Sequence, residues 1–526
     1  MHARGPGSTT IRNAPGSHGS SAWDTETLQH VLATFYRGRS VIVLSNREPF
    51  QHEETPGGGI VVKRSASGLV TALEPLMRAC SGVWVAHGVG SADRVVVDRR
   101  DGLDVPSSNS SYRLRRVWLE RHEAHQYYDG FANEGLWPLC HRVHVQPIFR
   151  SSDFSTYRTV NLRFAQAVCE EATGDRPTVL VQDYHFAIAP RAIRERLPLS
   201  TIIAFWHIPW PSPRDLAICP FGPQLLEGLL GSTLVGFQTP DDCQNFIDCV
   251  DQLLDARVDE NRTTLWWAGR STAVGCYPVS VDWNQAPDQS PPIETCRRSV
   301  RRQLGVPPDV RLGLGVDRLD YTKGIREKFL AVEELLERRP DLQGHFVFVQ
   351  IAEPSREVLA AYQALRVSLR ETAERINVRF GRRGYRPIIL LDAHHEPADV
   401  CRFMRAADVC YVGSLHDGMN LVAKEFIRAR TDERGVLILS RFAGAARELT
   451  AALIVNPYAI DAVADALAAA LQMTDEEQST RMRRLRSVVA EFSTYRWAGE
   501  MLMDAAMTEV GHRSEPVWKR RAAVRD

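Results

Sequence analysis

From about residue 40 onward, short apolar runs recur along the chain at intervals that leave room for a helix between them. They lie at 41–44, 179–181, 202–205 and 234–237, and again at 312–316, 346–349 and 437–439. The runs are apolar throughout rather than alternating with polar residues, which is the pattern of strands buried on both faces of a parallel sheet. Stretches such as 326–338 and 461–471 between them repeat apolar residues at helical spacing. Strands alternating with helices predict parallel βαβ units, and two groups of them predict an α/β protein of two Rossmann-like, doubly wound halves.

Length agrees with two halves, because 526 residues exceed what one hydrophobic core normally organises. The break is expected in 282–292, where Asn284-Gln285-Ala286-Pro287-Asp288-Gln289-Ser290-Pro291-Pro292 carries neither a helix nor a central strand. The expected organisation is a disordered leader at 1–38, a first domain at 39–283 and a second at 293–482. A C-terminal helix at 483–510 is expected to pack back on the first domain, ahead of a basic tail at 511–526.

Charge and cysteine usage narrow the partners. Lys plus Arg equals Asp plus Glu at 64 each, so no overall field draws the chain to nucleic acid or membrane. No stretch of 18 apolar residues occurs, and residues 1–22 mix Gly, Ser, Thr and Pro with no apolar signal core. Ten Cys are scattered with no C-x-x-C pair, which argues against a zinc ribbon or a secreted disulfide framework and for a reducing, cytoplasmic location. A homo-oligomer is compatible with all of this.

Candidate chemistry clusters after the apolar runs. Asp417-Gly418-Met419-Asn420-Leu421-Val422-Ala423-Lys424-Glu425 places a carboxylate, a Gly and free backbone N–H groups at a helix mouth, which suits an anion or a polyhydroxylated ligand. Arg318 and Lys323 follow the run ending at Val316, and two cations there suit a diphosphate as it leaves. Arg47, Asp183 and His207 likewise sit just past strands, at the sheet edge where open α/β folds bind ligands. Locally, Arg47 fits a surface ion pair equally well, and Tyr128 and Trp137 read as core aromatics. Pro56-Gly57-Gly58-Gly59 lacks the following Lys-Ser or Lys-Thr of a P-loop and reads as a hairpin tip.

Taken in order, Ser45-Asn46-Arg47, Asp183-Tyr184-His185, His207-Ile208-Pro209, Arg318-Leu319-Asp320-Tyr321-x-Lys323-Gly324, the Asp417 string and Phe442-Ala443-Gly444-Ala445-Ala446 resemble the trehalose-6-phosphate synthase family of retaining glycosyltransferases. The resemblance runs from about Val41 to about Trp497. It implies a GT-B fold with the active site between the halves, and transfer of glucose from a nucleotide diphosphate glucose, expected to be UDP-glucose, to glucose 6-phosphate. It further implies that Arg47, Tyr128, Trp137, Asp183 and Arg356 hold the acceptor. Gly68, His207, Arg318, Lys323, Asp417, Met419, Asn420, Leu421 and Glu425 would hold the donor, and His207, Asp183, Arg318 and Lys323 would serve the reaction centre. No cofactor is implied. No metal is implied either, since no D-x-D occurs to bridge a diphosphate through one. The chain departs from the family at His87, where a Trp is usual, at His416, where an Arg is usual, and in a longer segment between Arg47 and Gly68. Two alternatives stay open: another phosphorylated acceptor, such as glycerol 3-phosphate or a cyclitol phosphate, and a non-catalytic sugar-phosphate sensor.

Overall fold

The computed structural model describes residues 23–65, 68–106, 112–143, 145–283, 291–382 and 384–509. Residues 1–22 of the expected leader, 284–290 of the expected hinge and the tail at 511–526 lie outside them.

Two sheets carry the architecture. In the first, the strand Val41–Leu44 pairs in parallel with Val83–His87 on one side and Thr178–Gln182 on the other. The sheet extends in parallel through Thr201–Phe205 and Leu234–Phe237 to Arg270–Cys276. Antiparallel strands close both edges. Ile42 and Leu44 face a layer that includes Tyr157, Phe164, Ile193 and Leu226. Val41 and Val43 face the opposite layer with Leu73, Leu76, Met501 and Leu502. Burial on both faces explains why these strands are apolar throughout.

The second sheet has six strands, all parallel, with Arg311–Arg318 between Phe346–Glu353 and Val409–Val412. In each sheet the chain enters near the middle, winds outward to one side and then crosses back. The switch points, where winding reverses, lie between Val41–Leu44 and Thr178–Gln182 in the first sheet and between Arg311–Arg318 and Val409–Val412 in the second. At such a point two neighbouring strand ends diverge and leave a crevice for a ligand. Ser45-Asn46-Arg47 and Asp183-Tyr184-His185 leave the first crevice, and Arg318 to Lys323 and Ser414 to Asn420 leave the second.

Two expectations are corrected. The span 1–38 is not a leader throughout: Thr25–Phe35 is a helix, opened by Asp24, whose side chain accepts from the Thr27 N–H. It buries Leu28, Val31 and Leu32, and its successor Tyr36 donates its hydroxyl to the Leu502 carbonyl at 2.6 Å. The apolar spacing at 28, 31 and 32 was the available signal, and the adjoining Gly- and Ser-rich stretch masked it. The boundary at 482/483 also falls inside one helix, Asp475–Glu491. That helix packs on Leu421–Ala429, whereas Thr494–Glu509 packs on Thr25–Phe35, Gly68–Cys80 and the strand Thr201–Phe205. The 48–65 segment forms a two-stranded hairpin, Phe50–Glu54 with Ile60–Arg64, around the Gly-rich tip. No helix among the described residues is long and apolar enough to cross a membrane.

Leu28 is fully buried, so Leu28→Ala should cost about 2–5 kcal/mol, as for other buried leucines. Thermal unfolding monitored by circular dichroism should show a lower Tm. An unchanged Tm would mean that this helix is not part of the folded core.

Candidate active site

Three guanidinium groups delivered by different strand ends converge on one aromatic pair. Tyr128 stacks on His185 with ring centroids 5.6 Å apart and planes 9° from parallel. Burial alone would raise the Tyr128 phenol, but the charges of Arg356, Arg47 and Arg318 outweigh it and pull its pKa down. The same burial and the same three arginines hold His185 well below the usual imidazole range. Tyr128 comes from an unusual element, a π-helix over His125–Leu136 that runs directly into Trp137. Such widened turns are rare and concentrate at functional sites.

Trp137 supports two of the cations. The Arg356 guanidinium lies 4.0 Å from its ring centroid and that of Arg318 5.2 Å, close enough for cation–π attraction. Arg356 crosses from the second half to do this and donates to the Tyr184 hydroxyl at 3.2 Å. On its own side it bonds the Asp320 carboxylate at 2.8 Å. Tyr362 donates to the same Asp320 oxygen at 3.1 Å. Burial works against Asp320, yet the charges of Arg356, Arg318 and Lys323 hold its pKa down. Arg356 Nε and Trp137 Nε1 remain buried without a hydrogen-bond partner among the described residues, and such groups invite a ligand or water. Arg47 differs from Arg356: its side chain is exposed at the end of its strand.

Asp183 and His207 adjoin at the next two strand ends. Asp183 holds a left-handed backbone, φ 73°, which an Asp rarely adopts and which marks a constrained site. Its carboxylate accepts the His207 N–H at 3.1 Å. Burial pushes its pKa up to about 6, against the pull of the Tyr184 and His207 N–H groups and of Arg318 and Arg356. The His207 ring bonds the Gln182 side chain at 2.9 Å. Burial lowers its pKa to about 3, so the imidazole is neutral at pH 7.

The second crevice holds a tight ion pair. Lys323 reaches Asp417 at 2.6 Å across the switch point, and Ser414 and Asn420 each donate to the same carboxylate oxygen at 3.0 Å. Burial opposes ionisation, but Lys323 beside it keeps the Asp417 pKa down at about 2. Asn420, at φ 74°, caps the helix Leu421–Ala429 by accepting from the Ala423 N–H. The first-turn N–H groups of that helix have no partner within it. Met419 is buried beside them. One turn in, burial raises the Glu425 pKa, and no side chain among the described residues hydrogen-bonds its carboxylate. Gly68 sits against this helix mouth: a Cβ there would come 2.9 Å from Leu421 Cδ1.

Every residue singled out from the sequence thus stands at or beside one of the two crevices. Sequence reasoning passed over Tyr184, His185, Asp320 and Tyr362. The first three lie inside the quoted motifs and were legible as polar or aromatic neighbours of a chosen residue. Tyr362, on the helix Ala360–Phe380, had no local signal. His416, one of the departures, donates to or accepts from nothing in the second crevice; its Nδ1 bonds the His141 carbonyl at 2.7 Å.

Residues 39–507 match the profile of Glycosyltransferase family 20. The trehalose-6-phosphate synthase of Mycobacterium avium (strain 104) is 39% identical over 488 residues, covering 91% of this chain and 97% of that protein. The structure is similar to that of an α,α-trehalose-phosphate synthase (UDP-forming) from Burkholderia xenovorans in complex with glucose-6-phosphate, with TM-score 0.78, 32% identity and coverage of 89% and 99%. It is equally similar, at TM-score 0.78, 31% identity and coverage of 89% and 99%, to the trehalose-6-phosphate structure from E. coli bound with UDP-2-fluoro glucose. With two doubly wound halves and similarity along nearly its whole length, this chain belongs to glycosyltransferase family 20.

Proposed function

We propose that this chain is a UDP-forming α,α-trehalose-phosphate synthase. It moves glucose with retention from UDP-glucose to glucose 6-phosphate, using the first half for the acceptor and the second for the nucleotide sugar. The observation that carries the reading is the convergence of Arg47, Arg318 and Arg356 on Tyr128 and His185 from both halves. Such clustered guanidinium forks suit a dianionic phosphate on one side and a diphosphate on the other. The relatives crystallised with glucose-6-phosphate and with a UDP-glucose analogue support the same pair of ligands. Both substrates are small and soluble, and we place the enzyme in the cytoplasm, where its ten free cysteines would stay reduced.

In this mechanism an acceptor hydroxyl attacks the anomeric carbon from the face that the diphosphate leaves. The bond from that carbon to the phosphate oxygen breaks as the new glycosidic bond forms, and the acceptor proton passes to the departing oxygen. Arg318 and Lys323 stabilise the charge that accumulates on the diphosphate. Lys323 must therefore share its charge between Asp417 and the ligand. Asp417, the N–H groups from Met419 to Leu421 and the neutral His207 accept from and donate to the glucose hydroxyls. Glu425 accepts from the ribose hydroxyls, which supplies a partner for its half-buried carboxylate. Asp183, fixed by the His207 N–H, orients the acceptor sugar, and Tyr128 and Trp137 wall its pocket. The protein's contribution is positioning and charge stabilisation.

The direct test is product identification. The purified protein is incubated with UDP-, GDP- and ADP-glucose against glucose 6-phosphate and glycerol 3-phosphate, and the anomeric configuration of any product is read by NMR. The expected product is α,α-trehalose 6-phosphate; a glycerol product or no product with any pair would overturn the assignment. Arg47 is exposed, so Arg47→Ala should leave Tm unchanged while weakening acceptor use by about 1.5–3 kcal/mol, roughly 10- to 150-fold. UDP affinity should not change, and isothermal calorimetry separates the two.

Acid should weaken the acceptor first. Asp183 takes up a proton as the pH falls through about 6, and a neutral carboxyl loses its strong acceptor character. The KM for glucose 6-phosphate should therefore rise below pH 6. The acceptor phosphate itself titrates near 6, so the informative comparison is Asp183→Asn, whose pH profile should keep only the phosphate limb. Superimposable profiles would remove Asp183 from the acceptor site.

A further inference from the structure

The segment that leaves the first sheet after Cys276 is gripped from both halves at a single residue. The Val279 N–H donates to Gln238 Oε1 at 3.0 Å, and the Val279 carbonyl accepts from Lys424 Nζ at 2.8 Å. Gln238 follows the strand Leu234–Phe237 of the first sheet, and Lys424 lies on the helix Leu421–Ala429 of the second half. All three are buried, with Gln238 2%, Val279 3% and Lys424 1% exposed. Because Val279 offers an N–H, the amide oxygen of Gln238 must face it, which aims the amide nitrogen the other way.

That nitrogen reaches the His207 carbonyl at 3.4 Å. The same carbonyl abuts Gly418, where a Cβ would stand 2.1 Å from the oxygen. Lys424, for its part, precedes Glu425 and is balanced by Glu448 at 2.7 Å, while Arg428, one turn on, donates to the Asp282 carbonyl at 2.8 Å. The contacts close a ring: His207, Gln238, Val279, Lys424, the helix carrying Glu425, Gly418 and His207 again.

We infer that Gln238 and Lys424 are positioning residues that couple the nucleotide-binding helix to the His207 segment through the Val279 peptide, so that filling the nucleotide site organises the acceptor side through Asp183, whose carboxylate accepts the His207 N–H. The inference rests on the function proposed above. Neither side chain touches substrate. Gln238 sets where the His207 backbone lies, and Lys424 fixes the helix on which Glu425 meets the nucleotide. A shift of that helix on binding UDP must move Val279 or break its hydrogen bond, and either reaches His207 through Gln238. Two ligands that favour one arrangement of a shared element bind with positive coupling.

The test measures glucose 6-phosphate affinity by calorimetry with and without saturating UDP, in the full-length protein. The wild type should bind glucose 6-phosphate about 5-fold or more tightly when UDP is present. Gln238→Leu and Gln238→Glu should each reduce that gain to less than about twofold, while affinity for either ligand alone stays close to wild type. Gln238→Glu is the discriminating variant at a pH where its carboxyl is ionised, because it then keeps an oxygen for the Val279 N–H but places an oxygen against the His207 carbonyl, whereas the neutral acid at lower pH would donate to that carbonyl and restore coupling. A role limited to anchoring Val279 predicts that Gln238→Glu keeps full coupling, and that result would overturn the inference. Lys424→Met would strand Glu448 as a buried unpaired charge, so the second-half variant is Lys424→Met with Glu448→Gln. It too should lose coupling, and in combination with Gln238→Leu it should add nothing further; additive losses would overturn the closed ring. If the wild type bound no glucose 6-phosphate at all, the proposed function would fail instead, a result distinct from coupling that survives in the variants.

Discussion

The two halves meet where backbone lies on backbone. Gly418 rests on the His207 carbonyl, and Gly444 rests in turn on the Gly418 carbonyl, with a Cβ at 444 falling 2.0 Å from that oxygen. Three segments are thereby layered without side chains between them: the end of the strand Thr201–Phe205, the loop entering the helix Leu421–Ala429, and the turn after Val436–Ser440. Any side chain at either glycine would wedge the layers apart. The candidate site inherits its dimensions from this stack, because His207, Asp417 and the helix mouth all lie within a few residues of it.

Around the stack the protein supplies its own counterions. Asp320 holds Arg356 and Asp417 holds Lys323. A buried guanidinium or ammonium without a partner would be costly, and these carboxylates offset that cost. In the proposed function, phosphate binding is then an exchange of anions rather than the filling of an empty positive hole. The net gain from each phosphate contact is smaller than the contact itself, and the cations are already oriented when the phosphate arrives.

The layout of both sheets was legible because a strand buried on both faces must be apolar throughout, and because the polar residues at strand ends interrupt those runs abruptly. Arg47, Asp183, His207, Arg318 and Lys323 stood out at those ends, and the family resemblance was needed to choose them over the surface ion pair that Arg47 fits equally well. What was not legible is what pairs with what. Arg356 meets Tyr184 and Trp137 across more than 170 positions of sequence, and no local pattern encodes such a distance. The π-helix at His125–Leu136 was equally hidden, since its residues carry no clean 3.6-residue or two-residue period. Tyr362 reads as an ordinary helical aromatic until Asp320 is seen beside it.

The helix Thr25–Phe35 precedes the region matched to the family and completes its packing against Thr494–Glu509, with a hydrogen bond spanning 466 positions. During synthesis it emerges before the strands of both sheets, and Thr494–Glu509 emerges after them. Leu28, Val31 and Leu32 therefore stay incompletely covered until the strands of both sheets have been made, a period in which exposed apolar surface invites aggregation or chaperone capture. Synthesis of Thr494–Glu509, rather than of either sheet, is what closes this part of the fold.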